Sequence, residues 1–306
     1  MKRQRIYLLL FPALLLVSGC SDSEQSEPEQ VPIELHAQGN ATVETKADQT
    51  ITEAFGTTVF ASMRSGNYTG LTSPANVKEW KIDTEVQTNG TVPLSGNPTY
   101  PENGDWLYLI AVAPKASSYS DNEGKVTYIL AGQTDLMYAS QISGNRWDGS
   151  RFVNTDGSGT PLTYKHLLTQ LTFKAMKKVT VTATNSVTLA LTDGETSFSG
   201  SGELFLELPD DGTEISGTTA TPLSGSLLLP PLTGTSDAYK LTVETSIGTF
   251  KDLEITAQSD GGSLSFAGGT SHEITLNIGD KELGISSVTV SEWVPVVKND
   301  DLNLVE

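Results

Sequence analysis

Trp106-Leu107-Tyr108-Leu109-Ile110-Ala111-Val112 is an uncharged run of β-forming residues. Comparable runs recur from Val31 onward, with Thr, Val, Leu and Ile dominant and apolar residues mostly at every second position. They cover residues 31–35, 125–130, 166–173, 179–183, 187–191, 203–208, 224–229, 240–244, 250–256, 273–278 and 285–294. This alternation predicts short, half-buried β-strands along nearly the whole chain.

The turn signals between these runs favour antiparallel pairing. Asn-Gly or Asp-Gly pairs tolerate the positive φ angles that tight hairpins need. They stand at residues 89–90, 103–104, 148–149, 156–157, 193–194, 211–212 and 260–261. Many short strands with frequent turns are typical of β-sandwiches or barrels. The chain is too long for one sandwich, so we expect an all-β fold with two antiparallel β-sandwich domains in tandem, residues 31–160 and 161–306.

The first twenty residues predict export with a lipid anchor. Lys2, Arg3 and Arg5 precede an apolar run of about a dozen residues, too short to span a bilayer as a helix. Small residues then lead to Cys20, which resembles a bacterial lipobox and predicts a signal peptide over 1–19 and a covalent lipid on Cys20. Cys20 is the chain's only cysteine, so no disulfide can form within it.

Residues 20–30 are polar and acidic and predict a flexible tether between lipid and fold. Acidic residues directly after such a cysteine also resemble the surface-export signal of Bacteroidota lipoproteins. The formal net charge of −18 would become more negative once the basic signal peptide is removed. Such a chain repels phosphate backbones, so nucleic acid is not an expected partner.

The sequence offers no recognisable catalytic or metal site. His36, His166 and His272 lie outside any known motif, and the latter two adjoin strand patterns, so we interpret them as strand-end residues. The neighbouring carboxylates at 210–211 and 300–301 would point to opposite faces of a strand. We therefore expect no enzymatic activity, no metal and no cofactor other than the lipid.

The four tryptophans bear on a different class of function, sugar binding. Trp80, Trp106, Trp147 and Trp293 would each be able to stack on a sugar ring if exposed. Tryptophan in a β-sandwich is more often core, and Trp106 and Trp293 stand inside alternating runs. We expect these two to be buried, which argues against an aromatic sugar platform.

Several segments, taken in order, resemble the fimbrillin family, the type V pilus subunits of Bacteroidota. Residues 134–139 are similar to a recurrent Asp-Leu-Leu-Tyr-Ala segment, and residues 164–173 to Phe-x-His-x-Leu-Ala-Gln-Leu-x-Phe. The other matching segments are the lipobox, residues 43–47, residues 104–114, and residues 269–278 followed by Trp293. Lys46 replaces the arginine that is usual in this family, Thr169 an alanine and His272 a tyrosine.

The resemblance implies two transthyretin-like β-sandwich domains and assembly without catalysis. Fimbrillins are exported as lipoproteins, and a trypsin-like protease removes the first strand together with the lipid. A strand of the next subunit then fills the exposed groove. Lys46 is the candidate cleavage site here, with Arg64 second, and residues 31–35, or up to Val43, are the strand that would be lost.

The C-terminal tail is the candidate donor strand, through Val294, Val296 and Val297; an ordinary last strand with a frayed end is the alternative. The expected function is a structural subunit or anchor of a cell-surface fimbria, located at the outer membrane. Its expected partners are other fimbrial subunits, the membrane through the lipid, and ligands on host or bacterial surfaces. A surface glycan-binding β-sandwich lipoprotein is the alternative from another class.

Overall fold

A computed structural model describes residues 30–39, 51, 53–68, 79–120, 123–174, 178–207, 224–232, 234, 237–245, 248–256, 266–278 and 283–292. Within these ranges the regular secondary structure is all β. The strands are β1 (Ala37–Gly39), β2 (Phe55–Ser62), β3 (Trp80–Val86), β4 (Leu107–Ala113), β5 (Tyr119–Ser120), β6 (Lys125–Ile129), β7 (Met137–Gly144), β8 (Leu162–His166), β9 (Thr169–Lys174), β10 (Lys178–Ala183), β11 (Ser186–Ala190), β12 (Thr196–Ser199), β13 (Gly202–Glu207), β14 (Ser224–Leu229), β15 (Ala238–Thr245), β16 (Gly248–Thr256), β17 (Thr270–Ile278) and β18 (Leu283–Glu292). The predicted all-β class is confirmed.

A six-stranded sheet in the order β1-β8-β7-β4-β2-β3 organises the N-terminal half. Strand β4 lies inside this sheet and is buried on both faces. Leu109 and Ala111 contact one hydrophobic core, and Ile110 and Val112 contact another. Burial on both faces explains why this strand is almost continuously apolar instead of alternating with polar residues.

Two four-stranded sheets of the C-terminal half share the second of these cores. Their strand orders are β14-β9-β17-β18 and β13-β10-β15-β16. Leu171 and Phe173 of β9 lie in the same core as Val179 and Val181 of β10. The short, alternating apolar pattern of these strands therefore has a partner surface on the opposite sheet.

A fourth sheet, β12-β11-β6-β5, contains one hairpin from each half of the chain. Val187 of β11 pairs with Tyr128 of β6, and Leu189 pairs with Val126. All four side chains are buried in the core that the two C-terminal sheets share. The two halves are thus joined by a common sheet and a common core, in addition to the connecting chain.

This arrangement bears on the predicted domain organisation. Strand β8 follows the expected division at residues 160 and 161, yet it pairs with β7 and β1 in the six-stranded sheet. Most strand pairs are antiparallel, as expected, but β1 with β8 and β9 with β17 are parallel. Two tandem transthyretin-like sandwiches, and the division at 160/161, stay predictions.

Candidate functional site

Residues 30–39, called the N-terminal segment below, lie along the edge of the six-stranded sheet. Their side chains alternate as an extended chain requires. Ile33, Leu35 and Ala37 are only 6%, 2% and 8% exposed, whereas Pro32 and Glu34 face solvent. The segment therefore closes one hydrophobic core with three apolar side chains.

One wall of the groove around this segment is formed by residues 90–100, which run antiparallel to it. The amide of Ile33 donates to the carbonyl of Pro98 at 2.9 Å, and the amide of Ala37 donates to Gly90 at 2.7 Å. In the other direction, the amide of Val92 donates to Leu35 at 3.1 Å. Main-chain bonds of this kind do not depend on which side chains the segment carries.

Strand β8 forms the other wall and runs parallel to the segment. Ala37, Gln38 and Gly39 pair in register with Leu162, Thr163 and Tyr164. The amide of Leu162 donates to the carbonyl of His36 at 2.8 Å. The segment is thus held on both sides by main-chain hydrogen bonds and beneath by the core.

Removal of the segment would leave a vacant strand position. The amides of Val92, Tyr100 and Leu162 would lose their acceptors, because each donates to a carbonyl of the segment. Beneath them, Phe152 and Tyr164 of the buried core would be uncovered. Unpaired main-chain groups over an apolar floor are the surface that an added β-strand satisfies.

The approach of the segment to its wall depends on Gly90. This residue has a φ of +80°, and a Cβ built on it would lie 2.8 Å from the carbonyl oxygen of Ala37. Glycine is the residue that takes up this conformation without steric cost. The Asn89-Gly90 pair, recognised in the sequence as a turn signal, thus also sets the width of the groove.

We expect Gly90→Ala to lower the free energy of unfolding by about 2 kcal/mol, from the left-handed φ together with the backbone clash. Hydrogen exchange at the Ala37 amide, which donates to Gly90, should accelerate as well. The matched control is Gly66→Ala, because Gly66 has a φ of +67° but open space around its Cβ position. Equal effects of the two substitutions on both measurements would contradict the steric role of Gly90.

The predicted processing sites lie in different surroundings. Lys46 is in the stretch 40–50, outside the described residues, between the N-terminal segment and β2. Arg64 is exposed in a turn directly after β2, where its amide donates to the Ser62 hydroxyl at 3.0 Å. Cys20 and the tail residues Val294, Val296 and Val297 also lie outside the described ranges.

The prediction that Trp106 is buried is wrong. Strand β4 begins at Leu107, so Trp106 lies just before the paired region and is 45% exposed; Trp147 is 60% exposed. The Arg146 guanidinium lies 5.4 Å from the centre of the Trp147 ring. Trp80 is half-buried in β3, and Trp293 falls outside the described ranges.

The histidines occupy structural positions. His166 is the last residue of β8, and its Nδ1 lies 2.7 Å from Oδ2 of Asp135. This contact joins the two segments, 134–139 and 164–173, on which the family resemblance most depends. His272 is fully buried near the start of β17, and His36 is exposed in the N-terminal segment.

Metal-binding clusters and membrane-spanning helices are both absent from the described residues. These residues contain no group of three or more His, Cys, Asp or Glu side chains arranged to hold a metal ion. Among the same residues, no helix is long and apolar enough to cross a bilayer.

Residues 90–100 were missed by reasoning from the sequence. A signal was present, because Pro93, Pro98 and Pro101 separate the apolar residues Val92, Leu94 and Tyr100. Proline lacks the amide that a central strand must donate, so such a stretch is confined to edges and irregular pairings.

Comparison of the sequence with models of known protein families gives one match. The family model described as fimbrillin-like matches residues 30–293. No curated protein matches the sequence at a significant level.

Solved structures with similar folds were also found. A proposed cell adhesion protein of Bacteroides uniformis aligns with a TM-score of 0.55 at 16% identity, over 85% of this chain and 98% of its own. A second such protein, from Bacteroides ovatus, gives 0.56 at 14% identity, over 87% and 99%. The tip fimbrial protein Mfa3 of Porphyromonas gingivalis aligns with a TM-score of 0.43 at 10% identity, over 87% of this chain and 100% of its own. The first two likenesses concern the fold alone, whereas the family match spans most of the sequence; the chain belongs to the fimbrillin-like family.

Proposed function

We propose that this protein is a structural subunit or anchor of a cell-surface fimbria, joined to its neighbours by strand exchange. The observation that carries the proposal is the N-terminal segment, which fills a strand position between residues 90–100 and β8. A neighbouring chain's strand would make the same main-chain bonds in its place. Membership in the fimbrillin-like family and the likeness to two proposed cell adhesion proteins support this role.

The membrane attachment that we propose is a lipid on Cys20, exposed when the signal peptide 1–19 is removed. The acidic tether 20–30 would then hold the fold away from the outer membrane. Stable anchoring needs more than one acyl chain, as bacterial lipoproteins carry. A subunit that keeps its N-terminal segment would remain attached and act as an anchor.

Between the two candidate cleavage sites, the structure favours Lys46. A cut after Arg64 would detach β2 together with the N-terminal segment. Strand β2 lies between β3 and β4, and its Val59 and Phe60 are fully buried. Loss of an interior strand would disrupt both cores, whereas a cut after Lys46 releases only the segment at the edge.

For the donor strand we propose the tail that includes Val294, Val296 and Val297. Val294-Pro295-Val296 repeats the pattern of Val31-Pro32-Ile33 in the segment to be replaced. Pro32 faces solvent at the edge, where the missing amide costs nothing. A proline at the matching position of the donor would be tolerated for the same reason.

The test is the N-terminus and mass of the protein isolated from its own cell surface. We expect the wild-type chain to begin at Ala47, without lipid, and to form polymers. Lys46→Ala should leave the chain acylated at Cys20 and monomeric, because the segment stays covalently attached. Arg64→Ala is the control and should be processed like the wild type.

A wild-type chain that begins at acylated Cys20 and forms no polymer would contradict processing for strand exchange. With that result, the remaining functions would be a membrane anchor of the fimbria or a glycan-binding lipoprotein. The exposure of Trp106 and Trp147 is the specific observation that favours this second function. An enzymatic role has no support from the family.

A further inference from the structure

We propose that Trp106 and Trp147 form a second contact surface, which packs against the body of the neighbouring subunit whose tail fills the groove. This inference rests on the proposed strand exchange and goes beyond it, because the strand alone does not fix how two subunits are oriented. The surface consists of the two indoles with Arg146 and Gly104, and is called the tryptophan platform below.

The two indoles lie at the same end of the six-stranded sheet. Leu107, the first residue of β4, pairs with Gly144, the last residue of β7. Trp106 precedes the first of these strands by one residue, and Trp147 follows the second by three. A Cβ built on Gly104 would lie 2.9 Å from the Trp147 indole nitrogen, so the loop before Trp106 contacts Trp147 directly.

The Trp147 part of the platform is held in place by neighbouring groups although it is exposed. The Trp147 ring has the Arg146 guanidinium over one face and Gly104 at its edge. Arg146 is itself held through a donated hydrogen bond to the carbonyl of Glu102 at 2.5 Å, and the Trp147 amide donates to the Asn145 side chain at 3.0 Å. A rigid aromatic side chain loses little conformational entropy on binding.

The platform adjoins the end of the groove where the N-terminal segment enters. The amide of Tyr100 donates to the carbonyl of Val31, and the turn from Pro101 to Gly104 follows at once. Phe152, which follows Trp147 by five residues, stacks on Tyr100 with ring centres 5.5 Å apart. A donor strand that occupies the position of Val31 therefore brings its own subunit beside the platform.

The choice of a protein partner over a sugar follows from the polar groups nearby. The Asn103 side-chain amide donates to the Asp105 carboxylate at 2.6 Å, and the Asn145 side chain accepts from the Trp147 main-chain amide, so each of these polar side chains already has a partner within the protein. Trp and Arg together are the residues most enriched at the energetic centres of protein interfaces. Continuity with the groove selects a second copy of this chain as the partner.

The experiment uses the soluble Cys20→Ser chain after the signal peptide, with a site for a sequence-specific protease in place of residues 43–46, so that the cut falls after residue 46 and not after the exposed Arg64. Wild type is compared with a Trp106→Ala/Trp147→Ala double variant, and two quantities are measured on each. The first is binding of a labelled peptide of residues 293–306, which reports the groove. The second is the concentration at which half the chains assemble, from light scattering after size exclusion.

We expect the double variant to bind the peptide as the wild type does, while its half-assembly concentration rises at least tenfold. The matched control is Ile129→Ala, because Ile129 is 71% exposed on a different sheet and should leave both quantities unchanged. A further measurement needs no substitution. Iodide should quench the tryptophan fluorescence of the wild-type protein less in the assembled state than in the monomer.

Unchanged assembly of the double variant, with peptide binding intact, would overturn the inference while strand exchange stands. Failure of the peptide to bind the cut wild-type chain would overturn strand exchange and the inference with it. Tryptophan-dependent binding to immobilised polysaccharides, with assembly unchanged, would assign the platform to sugars and also overturn the inference.

Discussion

Leu35→Ala is expected to lower the free energy of unfolding by about 3 kcal/mol, in the range for large-to-small changes in a packed core. Leu35 is almost completely buried beneath the N-terminal segment, between residues 90–100 and β8. Its removal leaves a cavity in a core that lies at the sheet edge. Denaturant unfolding of the soluble Cys20→Ser chain measures the loss.

The control for this prediction lies on the same segment. Glu34 is exposed, so Glu34→Ala should change stability by no more than about 0.5 kcal/mol. Hydrogen exchange adds a local readout, since the Val92 amide donates to the Leu35 carbonyl and should exchange faster in Leu35→Ala alone. An equal loss of stability in Leu35→Ala and Glu34→Ala would mean that the N-terminal segment does not close the core.

The second large effect is a loss of stability in mild acid through His272. This side chain is fully buried against the ring of Phe266, and burial lowers the pKa of His272 from 6.5 to about 4. The Thr270 hydroxyl donates to the Ala267 carbonyl and so accepts from Nε2 of His272. The remaining ring nitrogen, Nδ1, is buried without a partner, and a proton placed there would have no acceptor.

Because the pKa of His272 is lower in the folded than in the unfolded state, protons favour unfolding between these two values. The contribution of neutral His272 is complete above pH 6.5 and is lost as the pH falls toward 4, up to about 3 kcal/mol. His272→Phe should remove this part of the pH dependence. We expect the stability difference between wild type and His272→Phe to change across this window in urea unfolding at a series of pH values.

Asp and Glu carboxylates also change charge at acidic pH. The stability difference between the two variants is therefore the quantity to compare, and the absolute stability of either one is not informative. His36→Gln is the matched control, because His36 is exposed. Its stability should follow the wild type at every pH. A pH-independent difference between wild type and His272→Phe would show that His272 does not titrate as its burial predicts.

The all-β class and the turn at Gly90 were predictable because both depend on local preferences. Alternation identified the first strand region, 31–35, although the formal strand begins only at Ala37. The parallel partner of that strand was not predictable. Gln38 and Thr163 are hydrogen-bonded across 125 positions of sequence, and no local pattern specifies such a register.

Trp106 shows a second limit of reasoning from alternation. Its run begins at 106, but pairing begins at Leu107, and one residue at a strand boundary separates a core position from a surface one. Boundaries are set by what lies opposite in the sheet, here the end of β7 at Gly144. The tryptophan platform could therefore not be predicted without the strand order of the sheet.

The sheet β12-β11-β6-β5 has a mechanical consequence. Tension that enters at the N-terminal groove and leaves at the C-terminus must pass from one half of the molecule to the other. The connecting chain at residues 167–168 is short. The antiparallel pair β6 and β11 links the same two halves through five residue pairs, which carry the load side by side with the chain. Load is thereby shared among several hydrogen bonds that must break together, so the two halves should yield as one unit and not extend one after the other.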